Sequence, residues 1–534
     1  MGMDTGSAAY NLIEERWIPV RRRSGRVDHV APWQIADQDD PPVCPETARP
    51  DFDAAVLEML IGLLQTVAMP PDENEWRTIY QRGMDPRELR DRMRTVRDAF
   101  HLDGDGPRFF QDLDVDRHPE VKRRSVGSLL IERCTASGTS LFAKERESHQ
   151  FGMPMAAMAL LTLQVFAPIG GKGHRTSLRG GGPISTTIRD ATLFRTCWCN
   201  VLSQEDFGMI PGDTSKAVFP WMARTRTSER EGSGTGPSDV HPLQHYWGLP
   251  RRIRLCFDDL RDGTCDLCGQ KGPIVTEMWS RMHGTSYKGP FRHPLTAYTI
   301  HKQLEWPNPK KGGSSISYRD WPLLHLGGDG QIPPAVVQVF YERERWTVAK
   351  AHRLCASGYA MDNTKSLQFY EAEMPILHVP RSVTRSLRGH AAELVNASQK
   401  VRTSLANQVK SAWTDRPKNL PGDASARTDA AFLASTETHF YDTLKAVAAA
   451  IERKCDDAII QAKTQYVRNL RWRALEVFDS LCPVDDSLGT EGLRRTVQAR
   501  RSLGYFSSAK VLASVVGIAP DDASPSVLDV KESD

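Results

Sequence analysis

Apolar residues after Pro50 recur at helical spacing: Phe52, Val56, Leu57, Leu60, Leu63 and Leu64 share one face. With Asp51 as an N-cap and Pro70-Pro71 as a stop, this predicts a buried helix to about Ala68. Residues 74–82 and 86–100 carry two further helical patterns, the second with a solvated Arg- and Asp-rich side. Residues 153–166 are strongly apolar and read as a helix that leads straight into a glycine-rich stretch. Residues 11–20 read as a strand, with Gly25 marking a turn and 27–30 the return strand. Residues 184–188 and 193–202 read as core elements, and 251–257 alternates like a strand. Residues 335–344 and 346–349 read as a β-hairpin, and 358–365 as a loop. Residues 228–239 read as a flexible loop, and 307–315 as a basic turn.

Beyond about Pro380 the pattern turns helical almost throughout. Segments 383–413, 426–455, 458–481 and 491–516 are amphipathic, with Pro, Gly or Asp breaks between them, which predicts an up-and-down four-helix bundle. The expected fold class is therefore α+β. A large mixed domain over 1–380 is followed by the bundle over 381–520 and an acidic, disordered tail over 521–534.

Composition changes this picture little. The 534 residues are 40% hydrophobic and 25% charged, with a net charge of only +3, so any polyanion binding must come from local patches. No apolar run approaches the ~20 residues of a membrane span, and no membrane association is expected. Ten cysteines without a secretory segment point to a reducing cytoplasm.

Candidate chemistry concentrates between Pro168 and Arg189, where six glycines accompany Lys172, Arg175, Arg179 and Arg189 with no acidic residue. Glycine permits positive φ and close main-chain approach, and basic residues beside it suit phosphate. A nucleic-acid loop and a structural turn account for these residues about equally. Further basic clusters at 122–124, 172–179, 251–254, 288–292 and 310–311 read as loop-centred, and Phe142 sits in a polar loop. Together they favour a protein that grips a polyanion in places. Cys265-Asp-Leu-Cys268-Gly269 has zinc-knuckle spacing. Cys256 with His283 or His293 could complete a site, although a reduced cysteine turn is the preferred reading. No G-x-S-x-G, H-E-x-x-H or Walker motif occurs.

The segments Asn11-Leu-Ile-Glu-Glu-Arg-Trp-Ile-Pro-Val20, Ser177-Leu-Arg-Gly-Gly-Gly-Pro-Ile-Ser-Thr-Thr187 and Cys265-Asp-Leu-Cys-Gly-Gln270, in this order before a helical C-terminus, resemble the CasA family. That family is the large subunit of the type I-E CRISPR surveillance complex Cascade. The resemblance implies a non-catalytic subunit that reads the protospacer-adjacent motif (PAM) of double-stranded DNA, helps open the duplex and recruits a helicase-nuclease. Its other implied partners are CRISPR RNA and the remaining Cascade subunits. It places the family's glycine loop at Gly171-Lys172-Gly173 and the duplex wedge at Asp362-Asn363-Thr364-Lys365. The minor-groove cation falls at Arg281 or Lys288, and the loop that meets the RNA handle at 139–144, with Thr139, Phe142 and Lys144. No cofactor is implied; a structural zinc on Cys265 and Cys268 is the one candidate.

Two rivals stand beside this reading. Cys265, Cys268 and the fifteen histidines would suit a metal-dependent enzyme acting on nucleic acid. An RNA-bound scaffold without base reading would suit the basic clusters alone.

Overall fold

Helix Pro50–Val67 is buried along almost its whole length, and helix Met153–Phe166 exposes only Pro154 to any extent. They pack together at the centre of the larger of two compact units in the computed structural model. The structure describes residues 9–133, 149–171, 173–208, 215–230, 232–307, 315–328, 330–343, 352–362, 365–377, 379–415, 423–484 and 489–518. The larger unit comprises Met1–Gly313 with Gly330–Met374, and the other Ser314–Asp329 with Pro375–Asp534. Each fully buried Leu, Met or Phe of these core helices contributes about 1.5–3 kcal/mol.

Small antiparallel sheets surround the two helices. Ile18–Arg22 pairs with Val27–Val30 and Pro42–Pro45. Residues 11–17 form a turn rather than the expected strand. Asn11 Oδ1 accepts from the Ile13 amide and the Asn11 carbonyl from Glu14 and Glu15. This turn buries Leu12, Ile13 and Trp17 together. Glu277–Arg281 is the middle strand between Lys122–Ser125 and Arg252–Leu255. Arg353–Asp362 lies between Ile184–Arg189 and Lys365–Pro375.

Three expectations are corrected here. Ala335–Arg343 is a helix, not the first strand of a hairpin. Val336, Val337, Phe340 and Arg343 are the buried positions, a spacing of 3–4 residues that places them on one helical face. The Arg343 guanidinium then lies over Trp76 at 4.4 Å and donates to the Val201 carbonyl. Residues 346–349 lie outside the described residues. Second, Gly358 is not in a loop but within strand Arg353–Asp362. A Cβ there would stand 2.4 Å from the Pro183 carbonyl oxygen, so glycine permits this close pairing. Third, the 228–239 stretch is pinned at both ends. The Ser228 amide donates to His283 and its hydroxyl to Gly284, while Thr235 exchanges backbone bonds with Ser286 and Lys288.

The second unit is a helical bundle of Arg381–Trp413, Asp423–Glu452, Asp456–Leu481 and Gly489–Phe506. In the first helix Val383, Leu387, Ala391, Leu394, Ser398, Val401, Leu405, Val409 and Ala412 are buried, alternating by three and four residues as a bundle seam requires. The chain is thus α+β with a C-terminal helical bundle. No helix among the described residues is long and apolar enough to cross a membrane.

Candidate nucleic-acid interface

The glycine-rich stretch leaves helix Met153–Phe166 and makes two tight turns. Gly171 and Gly173 have φ of +83° and +81°, conformations that favour glycine. A Cβ on Gly171 would meet nothing within 4 Å, whereas one on Gly173 would stand 2.9 Å from Met282 Cβ. Gly171 is exposed and Gly173 buried. One glycine therefore leaves main chain open to an approaching ligand, and the other seats the loop on its neighbour. That neighbour is the 281–284 segment, where the His283 amide donates to the Gly173 carbonyl at 2.7 Å. His283 itself has φ of +64°, a left-handed conformation uncommon for a side-chain-bearing residue.

Further along, Gly180 and Gly182 also take positive φ. The Ser177 hydroxyl closes its turn onto the Gly180 carbonyl at 2.7 Å. Arg175 donates to the Ser228 hydroxyl at 2.7 Å. Arg179 turns inward, buried against Glu58. Arg189 lies 3.6 Å from Glu371, so three of the four basic residues that made this stretch look phosphate-binding are engaged within the fold.

The strand expected over 251–257 is present at Arg252–Leu255, but the basic cluster 251–254 is buried rather than loop-centred. Arg252 Nε reaches Asp112 at 2.7 Å, Arg254 lies near Asp116 at 3.6 Å, and Arg251 donates to the Pro168 carbonyl at 2.6 Å. Residues 122–124 also sit on a strand, whose alternation separates them. Lys122 and Arg124 share one face and stand opposite Ser280 and Met278. Arg123 lies on the other, paired with Glu277 at 3.0 Å and stacked over Trp279.

Beside the glycine loop lies a cavity of about 340 Å³, lined by Lys122, Arg124, Arg251, Arg281, His174, His283 and the carboxylate Glu120, together with Leu163, Ile253 and Met278. The His174 imidazole is pushed down to about 4, by burial first and then by Arg251, Arg124 and His283. Neither histidine was singled out in the sequence as part of such a pocket. The signal available was their place in segments next to glycine, at 173–174 and 283–284.

The proposed site residues fall as follows. Arg281 is held by Glu120 at 2.8 Å and by Glu229. Lys288 is exposed and lies over Gly234, where a Cβ would stand 2.6 Å from its Cδ. Asp362 ends one strand and Lys365 begins its neighbour in the same sheet. Lys172, Asn363, Thr364, Thr139, Phe142 and Lys144 lie outside the described residues.

Cys265 and Cys268 close a tight turn, with the Gly269 amide donating to the Cys265 carbonyl and the Cys265 amide to Gln270. Burial and the neighbouring Cys265 push the Cys268 thiol up. Among the described residues no third His, Cys or carboxylate donor gathers within 4.8 Å of this pair. Cys256 bonds through its amide to Glu277, and His293 lies beside Glu58. The one group of three such donors among the described residues is Asp190, Cys199 and His352. There Asp190 accepts from Tyr80 at 2.7 Å and lies 3.1 Å from His352. Burial alone would raise the Asp190 carboxyl, but bonds from His352, the Ala191 amide and Tyr80 hold it near 2.

Comparison with known proteins places these features in context. The family model of the CRISPR-associated protein Cse1 matches residues 11–477. The structure of Thermus thermophilus CasA (Cse1) is similar with a TM-score of 0.63 at 18% identity, covering 93% of this chain and 99% of that one. Thermobifida fusca Cse1 gives 0.63 at 16% identity over 97% and 99%. A chain of a CRISPR RNA-guided surveillance complex gives 0.58 at 15% identity over 93% and 99%. At these identities the structural likeness is one of fold.

Proposed function

The chain belongs to the CRISPR-associated Cse1 family and is a type I-E large subunit, and from that premise we propose that it reads the PAM in double-stranded target DNA. In the same reading it helps open the duplex and recruits a helicase-nuclease, without catalysis of its own. Its partners are CRISPR RNA and the other Cascade subunits, a reading supported by the likeness to chains of CRISPR RNA-guided surveillance complexes.

The observation that carries the proposal is the open main chain at Gly171, beside a loop seated on the Arg281–His283 segment. The minor groove offers a degenerate set of acceptors, so exposed backbone, Lys172 and a nearby cation suffice to accept a short motif. Arg281 and Lys288 are the candidates for that cation. Since Arg281 already has two carboxylate partners, exposed Lys288 is the freer of the two. The segment Asp362-Asn363-Thr364-Lys365, whose first residue ends one strand and whose last begins the next, acts as the wedge. Such insertion costs a few kcal/mol per base step, offset by backbone contacts and by pairing with the guide. The 139–144 loop, through Thr139, Phe142 and Lys144, meets the RNA handle. This reading needs no cofactor; a structural zinc on Cys265 and Cys268 would draw its other donors from outside the described residues.

The test is DNA binding by the assembled complex carrying Lys172→Ala and Asn363→Ala. Preference for motif-bearing over motif-free duplex should disappear while the RNA stays bound. An undiminished preference overturns these assignments. Incubating the purified chain with DNA and divalent metals tests the rival enzyme, since sustained cleavage would support it.

A further inference from the structure

We propose that the cavity beside the glycine loop is a phosphate-binding pocket that takes a backbone phosphate of a nucleic-acid strand, held by Lys122 and Arg124. It rests on the DNA-binding reading only for the source of the phosphate; the anion chemistry stands on the pocket alone.

Three observations converge. Strand alternation brings Lys122 and Arg124 onto the pocket-facing side of Lys122–Ser125, with Ser280 and Met278 opposite. Arg252 and Arg281 are balanced by Asp112, Glu120 and Glu229. Lys122 and Arg124 have no carboxylate partner among the described residues. Glu120, the carboxylate that lines the pocket, is held by Arg281, so Lys122 and Arg124 bring charge into the pocket that it does not pair. Next, His283 Nδ1 is buried without a hydrogen-bond partner and its residue lines the same cavity. A buried polar atom left unpaired costs about 1–3 kcal/mol, which a ligand oxygen would offset. Lastly, burial first and then the charges of Arg251, Arg124 and His283 hold the His174 imidazole down at about 4, and these charges make the pocket electropositive.

The cavity, at about 340 Å³, exceeds a single phosphate, and Leu163, Ile253 and Met278 are among its lining residues. That leaves apolar room for the sugar attached to a bound phosphate. A polyanion also suits the position, because the pocket adjoins the exposed backbone at Gly171 through the His174–Gly171 turn.

The experiment compares the full chain with Lys122→Ala/Arg124→Ala and with Arg123→Ala. Arg123→Ala removes a cation from the opposite face of the same strand. Binding of a short single-stranded oligonucleotide is measured across salt concentrations, and inorganic phosphate is titrated separately by thermal shift. The double variant should lose about tenfold or more in oligonucleotide affinity, with a salt slope shallower by about one to two phosphate contacts. Arg123→Ala should stay close to wild type. A phosphate-induced thermal shift that depends on Lys122 and Arg124, without any oligonucleotide effect, keeps the pocket but assigns it a free phosphate and overturns the strand. Equal losses in both variants, or none in either assay, overturn the pocket. In the assembled complex the double variant should bind DNA more weakly yet keep its motif preference, which separates this proposal from that for Lys172 and Asn363.

Discussion

Arg179 Nη2 donates to both carboxylate oxygens of Glu58, at 2.9 and 3.0 Å, with both side chains buried. Arg179 Nη1 adds bonds to Ser185 and Thr296, and Ser185 in turn donates to Glu58 at 2.7 Å. The glycine-rich stretch is therefore stapled to helix Pro50–Val67 by a closed polar network, and its most conspicuous arginine is withdrawn from any ligand.

Breaking that network from one side should be severe. Arg179→Ala leaves Glu58 buried without its guanidinium, and a loss of about 3–5 kcal/mol is expected in denaturant unfolding. Replacing both partners, as Arg179→Met with Glu58→Leu, should restore much of it, since a well-packed apolar pair avoids the desolvation cost. A single variant as stable as wild type would show that the network does not hold the stretch.

The two loop glycines should respond differently to alanine. Gly171→Ala meets only the strain of φ +83° in open space, at a cost of about 1–2 kcal/mol. Gly173→Ala adds a Cβ 2.9 Å from Met282 Cβ, so the 281–283 segment must shift and the loss should be larger. Unfolding of the two variants side by side checks the order, and equal losses would refute it.

Periodicity is a good guide wherever one face meets one environment. Helices Pro50–Val67 and Met153–Phe166 and the helices of the bundle follow the apolar spacing closely. It misleads where a short run serves two geometries. The β-branched and aromatic residues of 335–343 suit a strand by propensity, yet Pro333-Pro334 and the burial of Val336, Val337, Phe340 and Arg343 favour a helix. The basic clusters were legible as charge but not as exposure. Asp112, which pairs with Arg252, lies 140 residues away in sequence, and nothing local announces such a partner. The pocket was illegible for the same reason, being assembled from Lys122–Ser125, Glu277–Arg281 and the glycine loop.

Acid should loosen the larger unit through His174. Its imidazole lies near 4 in the folded chain against 6.5 for an unperturbed imidazole, with burial the first cause. Between these values the unfolded chain binds more protons, so stability falls as pH drops from about 6.5 towards 4 and levels off below. His174→Gln removes this contribution. The stability difference between about pH 7 and about pH 4.5 should therefore be smaller in the variant; an identical difference would place the loss on other groups, such as His245, also near 4.

In the bundle unit the comparable test is Tyr318, whose hydroxyl lies 2.5 Å from Ser398 Oγ and 2.8 Å from Thr436 Oγ1, all buried. Thr436 also donates to the Phe432 carbonyl at 2.8 Å, so it keeps a partner when the phenol is removed. Tyr318→Phe preserves the ring stacked on Phe440 while taking from the buried Ser398 hydroxyl its close partner, at a cost of about 1–3 kcal/mol. Hydrogen exchange should accordingly quicken in helices Arg381–Trp413 and Asp423–Glu452, where the two lost partners lie, and stay unchanged in helix Pro50–Val67 of the other unit. Tyr318→Phe with Ser398→Ala should regain most of the protection, because the deprived hydroxyl is then gone. Unaltered exchange in both bundle helices of the single variant would mean that Tyr318 holds them by ring packing alone.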